Sequence, residues 1–303
     1  MDALIHPLPF DPRGLHGLSE RLLASHHQNN YSGAVKRLNA IRTQLSTLPL
    51  ASTRGYQLNG LKREELIASN SMSLHELYFS SLGGDGKTME PACALALQAN
   101  FGSAERWREE FVAVGKALAG GSGWVLLTFQ PREGTLVNIW GAEHTHALAG
   151  GVPILALDMY EHAYHIDFGA NAGDYVEAFM ANIDWPAAYA RYQAAVHAAS
   201  EPWAASVIDG ATLLDVRRAG VFNNAKTMIL GATWKDPAEV AQWAQELPRD
   251  AEFIVYCVYG HEVGRATAMR LRAAGFNARF LNGGIDGWTT TGGPLSEKAK
   301  EAP

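Results

Sequence analysis

An apolar run from Val152 to Leu157, followed at once by Asp158 and then by His162, constrains the fold of this chain more than any other stretch. A short apolar run of this length predicts a buried strand. A carboxylate and an imidazole at one strand end suit a divalent or trivalent first-row metal, since oxygen and nitrogen are both ligands of such ions. Two ligands do not complete a site. The local pattern alone favours the alternative that Asp158 caps the next turn and His162 is a core histidine.

Length and composition bound what the chain can be. Its 303 residues suffice for two or three domains, each with its own core. A net charge of −6 argues against nucleic acid as the main partner, because the phosphate backbone requires a basic surface. No apolar run has membrane-spanning length and the start lacks a signal-peptide pattern, so we expect no membrane partner. Two distant cysteines, Cys93 and Cys257, predict free thiols in a reducing cytoplasm rather than a structural disulfide.

The first two-thirds of the chain is predicted to be helical at the front and α/β at the back. Apolar residues recur at threes and fours in two stretches, which predicts an antiparallel helical hairpin within residues 1–88. Residues 89–198 are predicted to form an α/β domain. The predicted elements are helices at 18–48, 61–82, 92–118 and 172–199 and strands at 123–129, 136–140 and 152–157.

Beyond a junction at residues 198–202, strands alternate with helices. This alternation predicts a small open parallel sheet with helices on both faces, within residues 203–296. The charged tail from Ser296 is predicted to lack regular structure. The predicted fold class is therefore multidomain: an α-helical hairpin plus an α/β domain, followed by a small α/β domain with a parallel sheet.

Histidines in the predicted hairpin offer the missing metal ligands. His26 and His27 lie in the first helix and His75 lies in the second. If the hairpin packs on the strand that ends at Asp158, one histidine from each helix joins Asp158 and His162. Three imidazoles and one carboxylate leave room for an exchangeable water, which suits a redox metal. A zinc-hydrolase interpretation is disfavoured, because neither His-Glu pair is followed by the second histidine of the H-E-x-x-H motif.

These residues resemble the iron/manganese superoxide dismutases over roughly residues 1–195. The family's D-x-W-E-H-A-Y signature is similar to Asp158-Met159-Tyr160-Glu161-His162-Ala163-Tyr164, its glycine turn to Gly121-Ser122-Gly123-Trp124, and its opening helix to His26-His27 with Leu38-Asn39. The resemblance implies that His26, His75, Asp158 and His162 bind one iron or manganese ion per subunit and that superoxide is the substrate. It also implies a homodimer in which Glu161 reaches the partner subunit's His162.

Other positions of the family pattern are kept or changed around that site. Trp124, Tyr160 and Tyr78 are expected beside the ligands, with Tyr160 in place of the signature tryptophan. Asn30 and Ala34 stand where the family usually has a histidine and a tyrosine, and Tyr31 lies one turn earlier as a partial substitute. His144 aligns with a residue that hydrogen-bonds metal-bound solvent, which gives a lean to iron. An ordinary loop histidine is an equally weighted alternative for His144.

A second candidate site lies at Cys257. The thiol follows an apolar strand, and Val258-Tyr259-Gly260-His261-Glu262 leads from it into a helix. A helix N-terminus above a thiol favours an anion, so this setting predicts a lowered thiol pKa and a site for an oxyanion or a persulfide. A buried inert thiol is the alternative that the strand pattern alone favours.

The surrounding sequence resembles a rhodanese (sulfurtransferase) domain over residues 203–295. The motifs that carry the resemblance are Leu213-Leu214-Asp215-Val216-Arg217, Tyr256-Cys257-x-x-Gly260 and Asn282-Gly283-Gly284-Ile285-x-Gly287-Trp288. The resemblance implies that Cys257 is a persulfide-forming nucleophile. Glu262 stands where the family frequently has an arginine. A carboxylate at the mouth would repel thiosulfate, so another sulfane-sulfur donor, or a binding role, stays open.

The predicted protein is thus a cytoplasmic, dimeric superoxide dismutase of the iron/manganese type fused to a rhodanese domain. One alternative is a metal- and anion-binding stress protein with weak or no turnover, which Asn30, Ala34 and Glu262 motivate. Another is a different non-heme iron oxidase.

Overall fold

The computed structural model describes residues 2–298 and shows two units with separate hydrophobic cores. We call residues 2–200 the first unit and residues 201–298 the second unit. The first unit combines helices with a small antiparallel sheet, and the second is an α/β domain around a parallel sheet. The predicted multidomain fold class is therefore confirmed. The domain bounds at 1–88, 89–198 and 203–296 remain predictions.

The first long predicted helix is interrupted where the predicted metal ligand lies. A π-helical turn, His26–Tyr31, separates two α-helices, and such turns are frequent at functional sites. The next helix begins at Gly55 rather than at Leu61 and forms the hairpin with its predecessor. The helices of this part are α1 (Glu20–Ser25), α2 (Ser32–Thr47) and α3 (Gly55–Ser80).

Two further predicted helices are each split in two. Gly102, with φ +91°, ends the first of one pair, and the Ser103 hydroxyl caps the next helix by accepting from the Arg106 N–H at 2.9 Å. The other pair is separated by a short extended segment in which Ile183 bridges to Leu82. These helices are α4 (Pro91–Phe101), α5 (Ala104–Ala117), the short α6 (His165–Phe168), α7 (Ala172–Ala181) and α8 (Trp185–Ser200).

The antiparallel sheet of the first unit fixes the position of Asp158. Its strands are β1 (Trp124–Gln130), β2 (Thr135–Gly141) and β3 (Val152–Asp158), in the order β2-β1-β3. Trp124 pairs with Asp158 at one end of the sheet. Helix α3 packs on β3, so the hairpin covers the strand end that carries the carboxylate.

The second unit has the predicted parallel sheet, in the order β4-β9-β8-β5-β7. Its strands alternate with helices as predicted, but several short elements were not predicted. The elements are β4 (Ala204–Ala205), β5 (Thr212–Asp215), α9 (Ala219–Asn224), β6 (Thr227–Ile229), β7 (Thr233–Trp234), α10 (Val240–Trp243), β8 (Glu252–Tyr256), α11 (Glu262–Ala273), β9 (Asn277–Leu281), α12 (Gly284–Thr290) and β10 (Leu295–Glu297).

The predicted irregular tail is wrong in its first part. Strand β10 pairs antiparallel with β6, and the Lys298 amine donates to the Phe222 carbonyl oxygen at 2.9 Å. This strand pairing could not be predicted from the local sequence, because the tail is rich in charged residues and has no strand-like alternation. The remainder of the tail lies outside the described residues. None of the helices between residues 2 and 298 combines the length and the hydropathy that a membrane span requires.

We predict that Gly123→Ala destabilises the first unit by about 2–4 kcal/mol, measured by urea denaturation. Gly123 has φ +141°, and a Cβ there would lie 2.1 Å from the Gly141 carbonyl oxygen. Its own carbonyl oxygen accepts from the Met159 N–H at 2.8 Å, so a shift would propagate to the Asp158 strand end.

The matched control is Gly120→Ala. Gly120 also has a positive φ, +77°, but a Cβ there meets nothing within 4 Å. It should cost only about 1 kcal/mol, the penalty of the backbone conformation alone. Equal losses for the two variants would show that close packing at Gly123 is not the constraint.

Candidate metal centre

Four side chains that are distant in sequence converge on one point in the first unit. One ligand atom from each of His26, His75, Asp158 and His162 lies within 4.8 Å of all the others. The Asp158 Oδ2 atom lies 3.1 Å from the Nε2 atoms of both His26 and His162 and 3.5 Å from that of His75. The structure therefore brings together the four residues that the sequence predicted as ligands.

Each of these side chains is delivered by a different element. His26 opens the π-helical turn, and His75 lies on α3. Asp158 is the last residue of β3, and His162 lies in a 3₁₀ turn that follows it, Glu161–Ala163. His26, His75 and Asp158 are at most 1% exposed, whereas the His162 side chain is 26% exposed. The centre is thus buried on three sides and open towards His162.

The spacing of the donor atoms fits a bound metal ion. Bonds of about 2.1 Å to a first-row ion place ligand atoms roughly 3.0–3.6 Å apart at angles between 90° and 120°. The His75 and His162 Nε2 atoms are 3.4 Å apart, and the carboxylate distances fall in the same range. Three imidazole nitrogens and a carboxylate oxygen form a donor set for iron, manganese or a similar ion.

Hydrogen bonds from outside the cluster orient two of the ligands. The His75 Nδ1 atom lies 2.6 Å from the Ser71 carbonyl oxygen, to which it can only donate, so the Nε2 lone pair is free for a metal. The Tyr160 N–H donates to Asp158 Oδ1 at 2.8 Å and leaves Oδ2 to face the imidazoles. Ser71 was not predicted from the sequence, although a residue one helical turn before His75 is placed to accept a hydrogen bond from its ring through the backbone carbonyl oxygen.

Burial sets the protonation states of the ligands. It lowers the pKa of His26 and lowers that of His75 to about 3. Burial alone would raise the pKa of Asp158, but His162 and His26 outweigh it and the net shift is downward. Neutral imidazoles around an ionised carboxylate are the form of this cluster that binds a cation.

Aromatic side chains line the open side of the centre. Tyr160 stacks on His162 at 5.4 Å and on His144 at 4.7 Å between ring centroids. The Trp124 indole N–H donates to His144 Nδ1 at 3.0 Å, which places the His144 proton on Nε2. The Trp124 ring also lies edge-on to His75 at 5.3 Å.

Two tyrosines support the buried side. The Tyr175 hydroxyl donates to the Asp158 carbonyl oxygen at 2.7 Å and lies 3.4 Å from the Tyr78 hydroxyl. The Tyr78 ring lies 5.0 Å from that of His26, as its predicted place beside the ligands requires. Tyr175 was not found from the sequence, because only the folded chain brings α7 to this strand end.

Tyr31 and Glu161 face away from the cluster. The Tyr31 hydroxyl donates to Glu76 Oε1 at 2.9 Å and accepts from the His6 N–H at 3.0 Å. Within residues 2–298 it makes no hydrogen bond to any of the four converging side chains. Glu161 is exposed, and its carboxylate has no ion-pair partner among the described residues. A catalytic role for Tyr31 and a dimer role for Glu161 remain predictions.

Cys257 lies in the second unit at the carboxyl end of β8, beneath α11. The backbone N–H groups of Gly260, His261 and Gly264 face its Sγ atom. Gly260 has φ +69°, and a Cβ there would lie 2.8 Å from the Gly283 nitrogen, so only glycine allows this turn. Cys257 is 6% exposed, and burial raises the pKa of its thiol despite those N–H groups. The predicted lowering of the thiol pKa is therefore wrong, because desolvation outweighs the helix N-terminus.

The rest of the predicted loop is partly at the surface. Tyr259 and His261 are exposed and Val258 is half-buried, whereas Glu262 is only 5% exposed. The Glu262 carboxylate accepts hydrogen bonds from the Tyr189 hydroxyl and, at 3.2 Å, from the Gln193 amide. Both donors lie on α8 of the first unit. Glu262 is thus buried beside the Cys257 loop, whereas the sequence predicted it at the open mouth of the site.

Comparison with known proteins finds a family match in each of the two units. Residues 89–191 match the C-terminal domain of iron/manganese superoxide dismutases, and residues 200–291 match the rhodanese-like domain. The chain is 60% identical over 190 residues to a protein of Cupriavidus metallidurans named superoxide dismutase [Fe], covering 63% of this chain and 96% of that protein. This chain belongs to the iron/manganese superoxide dismutase family.

More distant relatives carry either metal in their names. A superoxide dismutase [Mn] 1 of Haloferax volcanii is 35% identical over 199 residues, covering 64% of this chain and 97% of that protein. A superoxide dismutase [Fe] of Aquifex aeolicus is 31% identical over 195 residues, covering 62% of this chain and 90% of that protein. All three matches leave about a third of this chain uncovered. The length of the second unit accounts for that remainder.

We predict that the metal-free dismutase loses stability as the pH falls from about 6.5 towards 3, at up to roughly 1.4 kcal/mol per pH unit for His75 alone. The pKa of His75 lies near 3 in the folded protein, below its ordinary value of 6.5. Between those values the unfolded chain binds a proton that the folded chain excludes, so acid favours unfolding. Urea denaturation of chelator-treated protein at several pH values measures the slope.

His75→Gln should flatten this slope, because it removes one of the titrating groups. His146→Gln, a change at an exposed histidine, should leave the slope as in the parent. Identical slopes in all three proteins would mean that burial does not hold His75 neutral.

Proposed function

We propose that the first unit converts superoxide to O₂ and H₂O₂ at one iron or manganese ion held by His26, His75, Asp158 and His162. The observation that carries the proposal is the convergence of three imidazole nitrogens and one buried carboxylate oxygen in a chain of the dismutase family. A redox-active ion bound there supplies one-electron exchange with each of two superoxide molecules.

The protein's own residues define charge, access and proton supply at that centre. The Asp158 carboxylate offsets part of the positive charge of a bound ion in a site from which water is otherwise excluded. The partly exposed His162, beneath the Tyr160 ring, marks the side from which a small anion arrives. His144 carries its proton on Nε2 and can donate a hydrogen bond towards that side. This hydrogen-bond donor is the role proposed for His144.

The metal is proposed to be iron rather than manganese. The relative with 60% identity is named as an iron enzyme, and His144 stands where the family resemblance places a residue that hydrogen-bonds bound solvent. The imidazole of His144 is held in place on both sides, by Trp124 and by Tyr160. Because the ring is held in this way, its Nε2–H group would hydrogen-bond a bound solvent molecule in a fixed orientation.

The assembly and location of the enzyme belong to the same proposal. A homodimer is supported by Glu161, an exposed carboxylate next to His162 that has no ion-pair partner within residues 2–298. Its proposed contact is the partner subunit's His162. Two free cysteines support a reducing cytoplasm as the place of action.

We predict that His26→Ala lowers the dismutase rate of metal-loaded protein by at least about 100-fold and reduces the bound iron or manganese. His26 is fully buried at the centre, so its removal deletes one ligand and leaves a cavity where the imidazole was. The rate is measured by competition for superoxide, and the metal by elemental analysis of the same samples.

The matched control is His146→Ala, which removes an exposed imidazole outside the cluster and should leave both rate and metal content unchanged. Equal and near-background rates in the parent and in His26→Ala, with metal bound to the parent, would favour the alternative of a metal-binding stress protein. Asn30 and Ala34, which lack the family's usual side chains, keep that alternative worth testing.

A second candidate activity is sulfane-sulfur transfer at Cys257. It is supported by the match to the rhodanese-like domain and by the three backbone N–H groups that face the Sγ atom. Such a ring of N–H groups stabilises a negative charge on sulfur, and a terminal persulfide anion has that charge. The second unit is therefore proposed to accept a sulfur atom on Cys257.

We predict that the full chain takes up about one sulfur atom per molecule from cysteine persulfide, released afterwards by cyanide as thiocyanate. Cys257→Ser should take up none. Cys93→Ala should behave like the parent, because Cys93 is a buried thiol on α4 of the first unit and lies outside the Cys257 loop. Sulfur uptake by Cys257→Ser equal to that of the parent would refute a role for this thiol.

A further inference from the structure

The helix that follows the Cys257 loop is docked on the first unit along its whole length. Glu262, Arg265, Ala266, Met269 and Arg270 follow the i, i+3, i+4, i+7, i+8 spacing of a single helix face. All five contact the first unit or the residues that join the two units. Met269 and Ala266 pack into the hydrophobic core of the first unit, although they belong to the second.

Polar contacts fix both ends of this face. The Arg265 guanidinium donates to Glu201 Oε1 at 2.7 Å and to the Gly260 carbonyl oxygen at 2.6 Å, which ties the Cys257 loop to the junction. Arg270 donates to the Ala99 carbonyl oxygen on α4 at 2.9 Å. The orientation of the loop is therefore set by the first unit as well as by its own sheet.

The pocket beside Cys257 is built from both units. It has a volume of about 230 Å³, and Cys257, Arg218 and Glu262 line it from the second unit. Pro91 and Tyr189 line it from the first unit. The Tyr189 hydroxyl that walls the pocket is also the group that donates to Glu262.

Opposed charges around the pocket leave it without an excess of positive charge. The Arg217 guanidinium is neutralised by Asp215, with contacts of 2.6–3.0 Å to both carboxylate oxygens. Arg218 has no carboxylate within ion-pair distance in the described part of the chain. It shares the lining of the pocket with Glu262 and with the exposed Glu90. The other polar groups of the lining include the exposed Tyr259 and His261 and the hydroxyl of Tyr189.

We propose that this two-unit pocket accepts small organic persulfides that carry at most one net negative charge. Glu262, held by Tyr189 of the first unit, is the residue that selects against dianionic donors such as thiosulfate. The inference rests on the proposed sulfur chemistry of Cys257. A dianion would meet two carboxylates and one free guanidinium, whereas a persulfide presents a single charge that the backbone N–H groups can bind. The volume limits the rest of the donor to a small group.

The transfer is balanced without an external oxidant. The Cys257 thiol first gives its proton to water; the thiolate then attacks the terminal sulfur of R–S–SH, a new S–S bond forms at Cys257, and the S–S bond of the donor breaks. The leaving R–S⁻ takes the electron pair of that bond and then a proton from water. Cys257 becomes Cys–S–SH, and the total oxidation state of sulfur is unchanged.

The test compares single-turnover sulfur loading of the full chain from cysteine persulfide and from thiosulfate, followed by intact mass. The readout is the ratio of the two rates, because the donors differ in intrinsic reactivity. Glu262→Gln removes the charge and keeps the shape, so thiosulfate should gain roughly tenfold relative to the persulfide. Tyr189→Phe leaves the carboxylate with one donor fewer, so thiosulfate should lose about two- to threefold.

Opposite shifts in the two variants separate charge selection from loosened packing, which would change both donors together. Glu246→Gln, at a largely exposed carboxylate of the same unit outside the pocket, is the matched control and should keep the parent ratio. Circular dichroism shows whether each variant is folded. If Glu262→Gln does not fold, Tyr189→Phe still tests the proposal, because it keeps the aromatic ring and loses only the hydroxyl.

An unchanged ratio in Glu262→Gln or Tyr189→Phe, with Cys257 still loaded, overturns the selectivity and leaves the sulfur function standing. No loading of the parent by either donor overturns the sulfur function and this inference together.

Discussion

The burial of one carboxylate among three imidazoles is the constraint that organises the first unit. Asp158 is fully buried, and the histidines around it come from the π-helical turn, from α3 and from the turn after β3. An uncompensated charge at that depth would cost several kcal/mol. The strand, the hairpin and the following turn must therefore meet at one point, and the hydrogen bonds of Ser71 and Tyr175 hold them there.

The features of this arrangement that the sequence predicted are those fixed by neighbouring residues in the chain. The convergence of Asp158 and His162 with a histidine from each hairpin helix was predicted from the strand end and the helical placement, whereas the choice of His26 over His27 came from the family resemblance. The π-helical turn and the helix break at Gly102 were missed, because hydrophobic periodicity continues through both. Tyr175 was missed because its contact with the strand end depends on tertiary packing alone.

The second unit shows the same division. Its parallel sheet and the place of Cys257 follow from the strand–helix rhythm and from a short motif. The buried state of Glu262 does not, since the groups that hold it, Tyr189 and Gln193, lie on a helix of the other unit. The pKa of the thiol was misjudged for a related reason. Desolvation depends on everything packed around a group, and a motif describes only its own loop.

Helix α11 belongs to two cores at once, with one face on its own sheet and the face that carries Met269 in the core of the first unit. The two units are consequently not interchangeable modules joined by a tether. The second unit expressed alone would expose Met269 and Ala266 and would leave Glu262, Arg265 and Arg270 without their partners across the boundary. Recombination with another domain of the same fold would succeed only if the incoming helix reproduced both the apolar and the charged residues of that face.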